Sequence, residues 1–270
     1  MDDQSCYCLL CAAPPSYPEE SWDLRDDITA GRIRRYGWNV TGVTGGPAPD
    51  WAYSTGLWHT HRAPEICVFG VPGRTGQRII NQVGNMLRDG VTLTDGERHD
   101  DVLTGYDVVV RAVRAPWYRR FFGAGLDFCQ RPAPMMQIVW PDRAGRFPWE
   151  PETDPPYRDV QPRLWMLPDD HPPDQWTRLD PTGGWPFRGA LPFHQVHASP
   201  AVVAGTAPIG TVLRDEDGTW RFLEAGASAE AATGRVALRR LTKTHPDVLG
   251  VADLEPGARA TRGPDGTWIR

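Results

Sequence analysis

Trp51-Ala52-Tyr53-Ser54-Thr55-Gly56-Leu57 is the stretch on which the reading of the fold turns. Tyr36-Gly37-Trp38 precedes it and Pro64-Glu65-Ile66-Cys67-Val68-Phe69-Gly70 follows. Short runs of aromatic and β-branched residues bounded by Gly and Pro read as strands. Strands are therefore expected at residues 38–43, 52–58 and 66–71. Upstream, residues 19–36 carry acids early and Arg32, Arg34 and Arg35 late, with Leu24, Ile28 and Ile33 at roughly helical spacing. That charge order suits a helix dipole. Downstream, residues 74–89 predict an amphipathic helix with Ile79, Ile80, Val83, Met86 and Leu87 on one face, which Gly90 is placed to end. Strands at 106–113 and 135–140 and a short helix at 117–123 complete this part. Mixed order with short connections points to α+β or α/β around one sheet.

The chain has 270 residues, enough for two small cores. Hydrophobic residues make up 40%, so globular folding is expected, while 28 Gly and 27 Pro imply many turns. Twelve Trp either fill a core poor in long aliphatic runs or line a partner surface. The net charge of −5 argues against a general attraction to nucleic acid or anionic membrane. Lys243 is the only lysine, and the arginines are spread along the chain and balanced by acids. No apolar run reaches the length of a spanning helix. Met1-Asp2-Asp3-Gln4 lacks the basic-then-apolar order of a secretory signal, so a cytoplasmic protein is expected. Five cysteines, an odd number, fit reduced thiols better than a disulfide framework.

Eleven prolines from Pro148 to Pro192 form a seam that no long helix or central strand can cross. Trp165, Trp176, Trp185 and Phe187 sit inside it, so it should lie extended over one or both domains rather than hang free. The expected organisation is α+β: two small mixed domains, residues 1–165 and 195–270, joined by a Pro/Trp-rich connection at 166–194.

Tyr36-Gly37-Trp38, the stretch from Trp51 to Leu57, Pro64-Glu65-Ile66, Phe69-Gly70, Gln137-Ile138-Val139-Trp140-Pro141-Asp142-Arg143 and Gly145-Arg146-Phe147-Pro148-Trp149 occur in order in the first part. Over about residues 5–165 these motifs resemble the bacterial domain of unknown function 4262 family. Members often have cysteines near the start, as Cys6, Cys8 and Cys11 are here, and commonly His before Pro-Glu, where this chain has Ala63. The resemblance implies no established activity.

In the last part, residues 199–204, 209–214 and 219–223 read as strands, with Asp215-Glu216-Asp217-Gly218 as a turn. Pro208-Ile209-Gly210-Thr211-Val212-Leu213-Arg214, Gly218-Thr219-Trp220-Arg221-Phe222 and His245-Pro246-Asp247-Val248 resemble a small bacterial immunity-protein family, formerly domain of unknown function 2185. That resemblance implies a module that binds and neutralises a toxin-like protein. This family usually carries an acidic residue after the post-Trp glycine, where this chain has Ala227-Ser228 after Gly226.

Several groups of side chains could carry chemistry. Cys6-Tyr7-Cys8-Leu9-Leu10-Cys11 places three soft ligands within six residues. They could chelate zinc if Cys129 or a histidine supplied a fourth ligand, or they could be free or redox-sensing thiols. His59 and His61 share one face if their segment is extended, with Glu65 close by; two imidazoles and a carboxylate could bind a metal or move protons. Tyr53, Ser54 and Thr55 form a hydroxyl row before Gly56 that could hold an anionic ligand or finish a strand. Asp142, Arg143 and Arg146 lie between Trp140 and Trp149, and the arginines could pair with a carboxylate or phosphate. Trp220 and Arg221 are the corresponding binding candidates of the last part. No phosphate-binding loop or dinucleotide fingerprint is present.

The expected function is a non-catalytic protein-binding module of the toxin-neutralising type. One alternative is an enzyme, hydrolytic or metal-dependent, with a pocket lined by Tyr53, Thr55, His59, His61 and Glu65. The other is a metal protein, with zinc on Cys6, Cys8 and Cys11.

Overall fold

The structure is a computed structural model that describes residues 5–11, 22, 24–45, 48–179, 185–187, 190 and 194–270. The expected helix residues 19–21 and 23, and Pro181, Pro192 and Phe193 of the seam, lie outside the described residues. The chain forms two compact units, one of Met1–Cys11 with Ile28–Leu179 and one of Ala12–Asp27 with Asp180–Arg270. Each contains its own mixed sheet and helices, so the fold class is α+β.

The sheet of the first unit runs β1 (Asn39–Val43), β2 (Trp51–Thr55), β3 (Glu65–Phe69), β6 (Met135–Val139), β5 (Tyr106–Ala112) and β4 (Arg98–Leu103). Only β3 and β6 are parallel, with Cys67 opposite Gln137. All five residues of β3 are buried, because helices cover both faces of the sheet. Strand alternation sends Ile66 and Val68 to one face and Cys67 and Phe69 to the other. On the first face lies α3 (Gly73–Arg88), whose Ile79, Ile80, Val83, Met86 and Leu87 are all buried there. Gly84 lets α3 sit against Trp38, since a Cβ at that position would come within 2.7 Å of the indole. Gly90, at φ 95°, follows the helix as expected.

On the second face, α4 (Tyr118–Phe121) and α5 (Gly123–Cys129) pack Phe121 and Phe122 against Tyr53 and Phe69. The proline-rich segment completes this face. Its two short helices, α6 (Pro155–Arg158) and α7 (Gln175–Arg178), have only four residues each, as closely spaced prolines require. Leu164 and Trp176 are fully buried in the same cluster. Buried Gln137 of β6 clamps the segment: its amide donates to the Pro162 carbonyl at 2.7 Å and its oxygen accepts from Leu164 N–H at 3.2 Å. Trp117 Nε1 donates to the Met166 carbonyl and Trp176 Nε1 to that of Asp159. The buried indoles thus use their one polar atom to hold backbone that has no strand partner.

Between α3 and β6 the strand β4 and the helix α5 are additions to what the sequence pattern predicts; β4 is charged and largely exposed, so it lacks an apolar signal. The expected strand at 52–58 ends at Thr55. Gly56, at φ 115°, turns the chain into α2 (Leu57–His61). A Cβ on Gly56 would lie 2.6 Å from Ile33 of α1 (Leu24–Tyr36), so both the turn and the packing require glycine. The acids and bases of α1 fall in its first and last turns as anticipated.

The second unit has the strand order β10 (Gly234–Ala237), β7 (Gln195–Ala198), β9 (Trp220–Leu223), β8 (Thr211–Arg214), β11 (Arg259–Arg262) and β12 (Trp268–Ile269). Its core holds Val196, Val212, Phe222, Leu238, Leu241 and Val248, some from α9 (Leu238–Thr244). Phe187 of the seam packs edge-on to Trp220 at 5.1 Å. The strand expected at 199–204 is displaced to β7, and Pro200–Val203 is the helical turn α8. Pro200 lacks the N–H that a strand would need and starts a helix instead. Among the described residues no helix is long and apolar enough to cross a membrane.

Candidate metal centre

Glu65, the first residue of β3, is 3% exposed and faces the N-terminus of α2. Its carboxylate accepts hydrogen bonds from Gly56 N–H at 2.8 Å, Trp58 N–H at 3.2 Å and the Ser54 hydroxyl at 2.5 Å. Ser54 Oγ in turn accepts from Ile66 N–H. At the other end of α2, Arg62 donates to the carbonyls of Trp58 and His59. A five-residue helical turn is too short to stand alone. Here a buried carboxylate and a guanidinium satisfy its orphan amides and carbonyls, and the turn presents His59 in one orientation.

His59 Nδ1 lies 3.2 Å from Cys11 Sγ, 3.3 Å from Cys8 Sγ and 3.9 Å from Cys6 Sγ. The four ligand atoms all fall within 4.8 Å of one another. A tetrahedral zinc ion, with Zn–S near 2.3 Å and Zn–N near 2.0 Å, would set its ligands about 3.5–3.8 Å apart. The four side chains are therefore grouped at the scale of one small tetrahedral ion. Cys8 is buried, Cys6 half-buried and Cys11 exposed.

Residues 5–11 are held in this position by contacts with α5 and the residues after it. Leu9 is buried and its N–H donates to the Phe128 carbonyl of α5 at 2.9 Å. The Arg131 guanidinium lies 3.8 Å over the Tyr7 ring. A turn closed by Cys11 N–H on the Cys8 carbonyl sets the spacing of these two sulfurs. The hydrogen bond from the Cys8 thiol is the main cause holding Cys6 down at about 5, whereas the hydrogen bond to Cys6 together with burial pushes Cys8 up. Cys11 is also pushed up, by burial and by the charge of Cys6. Three sulfurs this close do not all ionise without a cation among them.

A cavity under the segment is lined by Cys6, Tyr7, Trp58, Glu65 and Cys129. A second, on the far side of Glu65, is lined by Ser54, Thr55, Tyr118 and Cys129. Cys129 thus lines both cavities, and the fourth member of the ligand cluster is His59.

The expectation that His59 and His61 share a face does not hold. In a helical turn, residues two apart point to nearly opposite sides. His61 faces Gly37 and Trp38, its ring 6.1 Å from the indole, and burial with the nearby Arg88 charge lowers its pKa. Tyr53 is 2% exposed in the aromatic core and Thr55 is buried on the second cavity. Tyr53, Thr55, His59, His61 and Glu65 therefore do not converge on one pocket.

The other candidates have structural partners. Trp140 Nε1 donates to the Phe69 carbonyl at 2.8 Å. Asp142 is 1% exposed and closes its loop: its oxygens accept from the N–H groups of Ala144, Arg146 and Asp154 and from Arg146 Nε at 2.9 Å. Arg143 is exposed, and its carbonyl accepts from the Tyr106 hydroxyl. Trp149, 37% exposed, stacks on Phe147 at 5.0 Å. In the second unit Trp220 is buried against Phe187 and Phe222, and Arg221 pairs with Asp215 at 2.7 Å. Burial works against the charge of Asp142, but the amides of Arg146, Asp154 and Ala144 outweigh it and hold the carboxyl down at about 2. A carboxyl depressed on folding stabilises the protein above its unfolded pKa of 3.8 and loses that contribution as pH falls toward 2. Asp142→Asn should lower the melting temperature at neutral pH and flatten its fall across this acid window. Melting curves of both proteins from pH 5 downward (about one unit above that value) check the outcome.

The fold and site together define an α+β protein of two units, one of which gathers three cysteines and a histidine. Residues 32–154 match the model of a family described as a domain of unknown function, DUF4262. His59 lies inside the matched span, while the three cysteines precede it and residues 195–270 lie beyond it. No curated protein and no solved structure matches the chain.

Proposed function

We propose that the first unit is a zinc-binding domain, with Zn²⁺ held by Cys6, Cys8, Cys11 and His59. The convergence of four soft ligand atoms within 4.8 Å, from segments about fifty residues apart in sequence, carries the reading. Three thiolates and an imidazole are a ligand set that suits zinc. Four protein ligands complete a tetrahedron and leave no open position for substrate, so the ion's role is to fasten residues 5–11 to the domain. Protein purified under reducing conditions should contain about one equivalent of zinc per chain. Replacement by Co²⁺ should give the thiolate-to-metal and d–d absorption bands of a tetrahedral site. A zinc content below about a tenth of an equivalent, together with failure of the apoprotein to take up Co²⁺, would overturn the reading, since structural sites bind tightly.

A further inference from the structure

We propose that Cys8 and Cys11 form a peroxide-sensitive pair, whose oxidation ejects the metal and loosens residues 5–11. The proposal rests on the zinc reading and adds the regulation of that site.

The two sulfurs differ in access but not in reach. Cys11 is exposed and Cys8 is buried, yet both belong to one group of donor atoms within 4.8 Å. Cys8-Leu9-Leu10-Cys11 is a turn closed by the 2.9 Å hydrogen bond from Cys11 N–H to the Cys8 carbonyl. This two-residue spacing puts a solvent-facing sulfur next to a resolving one. A bound metal ion keeps both as thiolates, the form that reacts. With every ligand sulfur held as a thiolate by the metal, exposure decides susceptibility to oxidation, and Cys11 is the exposed one.

The chemistry balances with hydrogen peroxide as the oxidant. The Cys11 thiolate attacks one peroxide oxygen, the O–O bond breaks, and hydroxide leaves to give a sulfenic acid. The Cys8 thiolate attacks the Cys11 sulfur, the S–O bond breaks, and a second hydroxide leaves as the disulfide forms. Two electrons pass from the sulfurs to peroxide. Only Cys6 and His59 then remain as ligands, and Zn²⁺ dissociates.

The fold supplies a consequence. Once the ion is gone, the buried Leu9, its hydrogen bond to Phe128 and the Tyr7–Arg131 contact must hold residues 5–11 without it, and the segment opens more often. The cavity they cover contains Cys129, whose accessibility reports their departure.

The test uses the zinc-loaded, reduced full chain treated with hydrogen peroxide in the presence of a chromophoric chelator. Zinc should be released to about one equivalent per chain, peptide mass mapping should find a Cys8–Cys11 disulfide, and a dithiol reductant with added zinc should restore the starting state. Alkylation of Cys129 should become at least roughly tenfold faster, as reactivity follows exposure. Cys129→Ser, outside the ligand set, should leave zinc binding and its release by peroxide unchanged while abolishing the alkylation signal. Zinc held through full peroxide treatment, or a disulfide that joins Cys6 in place of Cys11, would overturn the proposal while leaving the zinc reading intact. Absence of zinc from the reduced starting protein would sink the zinc reading itself.

Discussion

With zinc on the proposed Cys–His site, its removal by chelation, or His59→Ala, is expected to free residues 5–11 while the sheet of the first unit stays folded. The domain has its own cores on both faces of the sheet, so the ion does not organise it as it would a metal-dependent finger. The N-terminal segment has no comparable support. Its main-chain tie to α5 is the Leu9 hydrogen bond to Phe128, with one buried leucine beside it. A ligand present at a thousand times its dissociation constant stabilises the state it binds by about 4 kcal/mol. The Leu9 amide should therefore exchange roughly a thousandfold faster in the chelated protein, while amides of β3 and β6 change little. Proteolysis should cut within the first residues before any other site. Equal exchange at Leu9 with and without chelator would show that the ion does not fasten the segment.

Glu65→Ala should destabilise the first unit by roughly 3–5 kcal/mol, since each orphaned buried donor costs about 1–3 kcal/mol. The substitution leaves Gly56 N–H, Trp58 N–H and the Ser54 hydroxyl without their acceptor. It also frees α2, so zinc affinity should fall although no ligand has been touched. Glu65→Gln keeps an oxygen for the two amides and should cost about 1 kcal/mol near the low end of that range. The two variants differ further with pH. Burial raises the Glu65 carboxyl above its ordinary value of 4.5, against the pull of Ser54, Gly56 and Trp58. An acid raised on folding gives a contribution that is fully present below its unfolded pKa and is lost as pH rises through the folded one. Stability of the wild-type protein relative to Glu65→Gln should therefore decline as pH climbs above 4.5. Denaturant titrations of the two proteins at several pH values measure this, and a difference that does not move with pH would refute the burial argument.

Elements with a strong apolar period were legible: α3 from Ile79, Ile80, Val83, Met86 and Leu87, and β3 from its unbroken apolar run. Where the pattern was weak it misled. The expected strand over 52–58 continued through Gly56, because the aromatic Trp58 looks the same in a strand as in a helical turn. The strand ends just before Gly56, and Glu65, eleven residues beyond Ser54, holds the helical turn that follows through hydrogen bonds from Gly56 and Trp58 N–H. Likewise Pro200 moves the first strand of the second unit to Gln195–Ala198.

The Cys–His cluster is half visible in the sequence. Three closely spaced cysteines declare soft ligands and require a fourth, and His59 stands about fifty residues away. Nothing in local spacing joins them.

The α+β class, the amphipathic helix, the buried strands and the three thiols near the start can be read from local sequence, because they depend on residues close along the chain. That His59 and not His61 meets those thiols, that Glu65 anchors a helical turn, and that the proline-rich segment through Trp176 completes a core emerge with folding. The difference is one of range. Periodicity is set by nearest neighbours, whereas convergence depends on how sheet order and a single positive-φ glycine orient side chains about fifty residues apart.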